Sequence, residues 1–253
     1  MIEDLKGFLD EKVEQYNSPL FIESDPISIP HKFSQKEDIE ISAFLISTIS
    51  WGNRKMIIRS GEKLMELIGQ KPFEFVMDHD ERQLSRVDQF VHRTFNSSDL
   101  RYFISALNYL YHNEGGLEKS LTPLATEESL FGAIHRFKNI FFQLKHQTRT
   151  EKHIGDPMKG SAAKRMVMML RWLVRNDANG VDFGIWNNIP KSKLSCPLDV
   201  HSGNVARKLG LLMRKQNDWK AVNELDTELR RLDRDDPAKY DFALFGLGIF
   251  EGF

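Results

Sequence analysis

Residues 156–174 read DPMKGSAAKRMVMMLRWLV. A proline and a glycine open the stretch, three small residues follow, and from 161 to 176 the apolar side chains recur at helical spacing. Met166, Met169, Leu170, Leu173 and Val174 fall on one face. A methionine-rich stripe of this kind fits core filling better than a cofactor box, because methionine adapts to irregular gaps. The same spacing governs nearly every periodic stretch, and alternating strand patterns are scarce. Helices are expected at 1–16, from Ser34 through 50, at 54–68, 72–78, from Ser97 onward, at 129–145, 200–214, 218–231 and 237–249. Ser34 and Glu37 have capping-box spacing before IEISAFLISTIS (39–50), whose unbroken apolar content predicts a central helix. Gly115 and Gly116 close the helix that begins near Ser97. The three prolines of NSPLFIESDPISIPHKF (17–33) predict an extended loop. The fold expected is all-α: a two-lobed helical bundle of about ten helices. One lobe spans 34–180 and includes the turn at 156–165, and the other is formed by 1–33 with 181–253.

The chain has 253 residues, 41% of them hydrophobic and 28% charged, a mixture that folds around a sizeable core without disulfides or metal. Cys196 is the single cysteine, which excludes an internal disulfide or a four-cysteine metal site and fits a reducing compartment. Neither an apolar signal core nor a run of 18 apolar residues is present, so a cytoplasmic protein without a membrane partner is expected. Net charge is −1, yet residues 151–215 hold 12 Lys and Arg against 5 Asp and Glu. Such a local excess serves either as a solvated basic face or as a focus for an anionic partner.

Two segments carry candidate chemistry. In DPMKGSAAKR (156–165), Gly160 permits a tight turn and small residues let a phosphate approach the free amides of a helix start; a common glycine turn explains the pattern equally, and P-loop spacing is absent. In SCPLDVHSGNVARKLGLLMRK (195–215), Asp199 precedes a helix bearing Arg207, Lys208, Arg214 and Lys215, and a capping role alone would account for it. Cys196, Asp199 and His201 lack the partner pair a zinc site needs, so no metal or other cofactor is expected.

Together the segments resemble the helix-hairpin-helix GPD superfamily of DNA glycosylases. Gly160 corresponds to the first hairpin glycine and Lys164 to the family's catalytic lysine. Asp199 and His201 match its aspartate and histidine, and KLGL at 208–211 matches its R-L-G-L. PLDVH (197–201) is most similar to the 8-oxoguanine branch, and FLISTISWGNRKMIIRSGEKLMEL (44–67) is similar to the family's early helix pair. Ala162 replaces the second hairpin glycine, and the 35-residue gap between Lys164 and Asp199 is long for the family, as in an archaeal group with a degenerate hairpin. The whole chain also resembles a bacterial family of unknown function.

The resemblance implies a monomeric, nucleoid-associated glycosylase and AP lyase acting on double-stranded DNA with an oxidised purine. Lys164 would be the nucleophile and Asp199 its electrostatic and general-base partner. Gly160, Ser161, Ala162, Arg165, His201, Arg207 and Lys208 would hold the DNA backbone. The amine must be neutral to attack, and burial, a helix N-terminus and neighbouring Arg165 favour that form. A flipped base needs a stacking and edge-reading pocket, for which Trp51, Asn53, Trp172 and Trp186 are the candidates, although each tryptophan equally suits a core and Asn53 a helix cap. His31, His92 and His153 lie in expected loops, with HRTF (92–95) available to phosphate. The competing expectation is a non-catalytic helical nucleic-acid-binding module, and a third is a helical interaction protein with no nucleic-acid role.

Overall fold

The computed structural model describes residues 3–253 and is almost wholly helical. In chain order the α-helices are α1 (Leu5–Tyr16), α2 (Pro19–Ser24), α3 (Lys36–Ile49), α4 (Arg54–Leu67), α5 (Pro72–Asp78), α6 (Glu81–Leu84) and α7 (Ser97–Tyr109). They continue with α8 (Gly116–Leu121), α9 (Phe131–Phe141), α10 (Lys164–Val174), α11 (Val200–Lys208), α12 (Trp219–Leu232) and α13 (Tyr240–Phe250). All ten expected helices are present, and α2, α6 and α8 are additional short ones. The first two residues of the expected N-terminal helix lie outside the described residues. Among the described residues no helix is long and apolar enough to cross a membrane.

The segment 17–33 is not an extended loop. It folds into α2 and two 3-10 turns, Pro26–Ser28 and Pro30–Lys32. Each element begins with a proline, where the missing N–H would have had no partner anyway, so the prolines start helices here rather than prevent them. The expected capping box at Ser34 does not form either. Helix α3 starts one residue later, with Gln35 at the N-cap position and no side-chain cap.

Contacts divide the chain into two units. One comprises Ile22–Thr122 with Ala133–Ile154, and the other Met1–Phe21, Pro123–Gly132 and Gly155–Phe253. The turn at 156–165 therefore belongs with both termini, not with the central segment as the expected boundary near 180 would have it. The first unit is built on α3, buried without interruption from Ile39 to Ile49. Phe44 on α3 stacks on Phe103 of α7 at 5.7 Å and meets Phe137 and Phe141 of α9 edge-on. A two-residue ladder, Val91–His92 with Phe95–Asn96, is the strand content of this unit, turned by Arg93 at φ 55°.

In the other unit α10 is the central element, buried from Met166 through Val174. Its burial includes Arg171, which interrupts the apolar run yet does not leave the core. Arg171 and Arg175 stand over the ring of Phe242 at 4.3 and 5.4 Å. Around them gather carboxylates from elsewhere in the unit. Arg171 contacts Asp241 of α13 and lies 3.3 Å from Asp182. Arg175 contacts Asp177 and sits 3.1 Å from both Asp182 and Asp236. Asn17, just past α1, donates to Asp177 at 2.6 Å, which ties the N-terminal helix to the same cluster. Burial pushes Asp182 above the ordinary carboxylate value despite both arginines, and pushes Asp241 up to about 6.

Removing one member of such a buried set strands the others without compensation. Arg175→Met is expected to lower the unfolding free energy by about 3–5 kcal/mol, read as a displaced urea midpoint at pH 7. A loss below 1 kcal/mol would mean that the aspartates find other partners.

Candidate functional site

The site is assembled within the unit that holds α10. Asp156 caps a 3-10 turn, Pro157–Lys159, by accepting from the Met158 amide at 3.0 Å. The turn closes on Gly160 in the left-handed region, at φ 83°. Its carbonyl accepts from the Trp219 amide at 3.2 Å, and Ser161 bridges to Asp218, so the turn is seated against the start of α12. The Ser161 hydroxyl accepts from the Ala163 amide at 3.1 Å. Ala163 is also left-handed, at φ 46°, a conformation rare for a residue with a Cβ, and it delivers the chain into α10 with no side-chain cap. Lys164 is thus the first residue of α10, placed beside uncapped amides. Ala162 and Arg165 flank it half-buried, and burial lowers the Arg165 guanidinium to about 10.

Asp199 arrives from the second segment. It is the N-cap of α11 and completes a capping box, accepting from the amides of His201 at 2.8 Å and Ser202 at 3.0 Å while Ser202 Oγ accepts from the Asp199 amide. Its other oxygen, Oδ2, lies 3.4 Å from Lys164 Nζ, with both side chains about one-third exposed. The two groups that the resemblance joins across 35 residues therefore meet in space. Burial alone would raise the Asp199 carboxyl, but the Lys164 ammonium and the two amide bonds outweigh it and hold it below the ordinary range.

Other expected site residues divide sharply. His201 and Lys208 are exposed on α11, with Lys208 5.7 Å from the ring of Phe253. Arg207, expected on phosphate, is committed internally: it donates to the carbonyls of Arg214 and Lys215 and to Asn217 Oδ1 at 2.6 Å. Asn217 in turn donates to the Asp199 carbonyl at 2.8 Å, so Arg207 buttresses the backbone behind Asp199. Trp172 and Trp186 are 0% and 1% exposed. They pack the core and have no face to offer a base, which corrects their assignment to a pocket. The basic excess of 151–215 is dispersed by the same folding, because Arg171 and Arg175 are buried among aspartates and Arg214 pairs with Asp218.

Trp51 and Asn53 belong to the other unit. Asn53 caps α4, accepting from the Met56 amide at 3.2 Å, and this accounts for its position. Trp51 is half-buried, edge-on to His92 at 5.2 Å and stacked on His153 at 6.0 Å. Neither histidine lies in an open loop: His92 Nδ1 is 2.8 Å from Ser60 Oγ, and His153 Nε2 is 3.3 Å from the buried carboxylate of Asp99. Burial lowers His92, so it is neutral at pH 7.

Two contributors escaped the sequence reading. Asn217 is an isolated polar residue whose neighbours signal nothing. Asp241 stands at the head of an apolar helix, where a carboxylate reads as a favourable first-turn charge.

Residues 25–250 match the family described as "Protein of unknown function (DUF2400)", and the chain belongs to that family. No curated protein and no solved structure matches it.

A Cβ on residue 160 would meet nothing within 4 Å, so Gly160→Ala isolates the backbone conformation. It is expected to destabilise by about 1–2 kcal/mol in thermal unfolding. Asn at 199 keeps the cap but loses the charge that Lys164 faces, at an expected cost of about 1 kcal/mol at pH 7. Since the folded-state carboxyl is depressed, this contribution exists above about pH 4 and vanishes as pH falls through the lowered value. Urea midpoints of wild type and Asp199→Asn are therefore expected to converge toward pH 3, and a constant difference would refute the charge pairing.

Proposed function

We propose that the protein is a DNA glycosylase with AP lyase activity that removes an oxidised purine of the 8-oxoguanine type. One observation carries the reading: a lysine at the uncapped start of a helix and a carboxylate at the start of another sit 3.4 Å apart, half-open to solvent. The resemblance of both segments to the helix-hairpin-helix glycosylases supports it.

The chemistry follows from the pair. Lys164 first gives up a proton, for which Asp199 is the adjacent acceptor. The amine lone pair then forms a bond to the sugar C1′ as the glycosidic bond breaks, and the base departs with the glycosidic electron pair and takes up the proton that Asp199 received, which restores the carboxylate. Positive charge developing on the sugar is stabilised by a fixed carboxylate, which Asp199 supplies once more when ionised. Opening of the sugar ring gives an imine on Lys164 Nζ, and loss of a proton from the adjacent carbon expels the 3′ phosphate and cuts the strand. The target nucleotide must leave the stack, and the few kcal/mol this costs are offset by contacts to the DNA backbone. Gly160, Ser161, Ala162 and Arg165, in the turn before α10 and at its start, and His201 and Lys208, exposed on α11, are the residues we assign to those contacts.

A second reading, a non-catalytic nucleic-acid-binding module, is favoured by the complete capping role of Asp199. A labelled duplex with 8-oxoguanine opposite cytosine, incubated with the protein and borohydride, separates the two. A covalent adduct is expected in wild type, absent in Lys164→Ala and reduced at least about a hundredfold in Asp199→Asn. Salt-dependent binding by all three proteins without any adduct or strand cleavage would establish the binding module instead.

A further inference from the structure

Helix α4, in the unit that does not hold Lys164, begins Arg54-Lys55-Met56 with no acid in its first turn. Cations there oppose the positive end of the helix dipole. Exposed Lys55, Arg59 and Lys63 then recur at every fourth residue. This spacing sets them in one row on the helix surface, about 6 Å apart and about 12 Å from end to end. Like charges at such spacing repel one another, and none of the three forms an ion pair or a side-chain hydrogen bond among the described residues. Exposed cations elsewhere are matched: Lys6 meets Asp10, Lys71 meets Glu74 and Arg231 meets Glu228, each within four residues. The acids close to α4 are already engaged, Glu62 by Lys32 and Asp88 by Arg101. Glu66, exposed near the C-terminal end of the row, pairs with none of the three among the described residues.

A fourth cation is placed at the head of the row by the backbone. Gly52, just ahead of α4, is left-handed at φ 101°, and a Cβ there would collide with the Arg93 guanidinium. Arg93 is itself left-handed at φ 55° in the hairpin turn, exposed, and without an ion pair among the described residues. The hairpin is fastened to α4: His92 Nδ1 lies 2.8 Å from Ser60 Oγ, and the His92 ring meets that of Trp51 at 5.2 Å. Two residues in a rarely used conformation therefore lay a guanidinium against a helix start that already lacks an anion.

The missing anion is a repeating one. A nucleic-acid strand bears one charge per about 3.4 Å of axis, so a row about 12 Å long follows three to four phosphates. Even spacing without a shaped pocket suits a uniformly charged polymer, and the guanidinium forks of Arg59 and Arg93 match phosphate oxygens. A lipid surface would require large apolar side chains among the cations, and on α4 Met56 is the one such side chain exposed.

We propose that Lys55, Arg59, Lys63 and Arg93 form a docking surface for the sugar-phosphate backbone of a nucleic acid. The surface is separate in the chain from the contacts assigned to the Lys164 turn and α11, and it depends neither on base excision nor on a damaged base.

Binding of the full chain to a short undamaged fluorescent duplex, followed by anisotropy across a salt series, tests this. Against wild type, the triple variant Lys55→Gln, Arg59→Gln, Lys63→Gln is expected to bind at least about tenfold more weakly near 0.1 M salt, with the slope of log K against log salt shallower by about two to three. A control with the same change in net charge, Lys6→Gln, Lys71→Gln, Arg231→Gln, is expected to stay close to wild type. Equal behaviour of the two triple variants overturns the proposal. Binding of wild type to phosphatidylserine vesicles but not to the duplex overturns it as well. Two single variants decide the matter even where the triple variant does not fold: Arg93→Gln is expected to make the slope shallower by about one, and Glu66→Lys, which extends the row, to make it steeper by about one. Unchanged slopes in both overturn the proposal. Loss of the borohydride adduct in wild type would end the glycosylase reading and leave these slopes, measured on undamaged DNA, to decide the docking surface.

Discussion

Two guanidinium groups buried over a single phenylalanine ring organise the unit that carries the candidate site. Arg171 and Arg175 cannot leave water without carboxylates to meet them, and the four carboxylates come from three stretches: Asp177 and Asp182 after α10, Asp236 before α13, and Asp241 within it. Desolvation opposes each charge singly, and their mutual attraction offsets it only when all are in register. The cluster is therefore a constraint on geometry more than a source of net stability. It determines where α13 and the 177–182 connection lie against α10, and through Asn17 it reaches the end of α1.

The candidate site is the wet end of that arrangement. Lys164 lies on the same face of α10, seven residues before Arg171, but emerges where the helix begins, so its partner Asp199 is shared with solvent instead of sealed off. The approach to α10 is costly in conformational terms. Gly160 and Ala163 both occupy the left-handed region, and the turn between them is held by Ser161, Asp218 and the Trp219 amide. Arg207 and Asn217 secure the backbone on the other side. Both partners are therefore set on rigid helix starts, which is the preorganisation that a reacting pair requires.

Sequence periodicity was a sound guide to helices because burial of one face imposes it. The continuous apolar run of α3 correctly announced a central helix, and the stripe of α10 announced core packing. Local chemistry was less dependable where two structures satisfy the same residues. Prolines at 19, 26 and 30 begin short helices as readily as they extend a chain, and the cap spacing of Ser34 and Glu37 was bypassed when α3 started at Lys36. Side-chain roles were the least readable. A tryptophan suits a base pocket or a core, and the neighbours that put Trp172 and Trp186 in a core come from remote parts of the chain. Arg207 offered the charge expected of a phosphate contact and instead closes a loop.

From residue order alone came the helical class, the positions of the major helices, the cap at Asp199 and the pairing of its segment with Lys164 through resemblance. These depend on neighbours a few positions away, or on motifs carried intact within a segment. Only folding in three dimensions settled which arginines are dry, which aspartates meet them, how α10 shares one face between structure and the candidate site, and why the unit's boundaries fall at 21, 123–132 and 155. Burial and electrostatic balance are properties of groups that converge from far along the chain, and no local pattern encodes them.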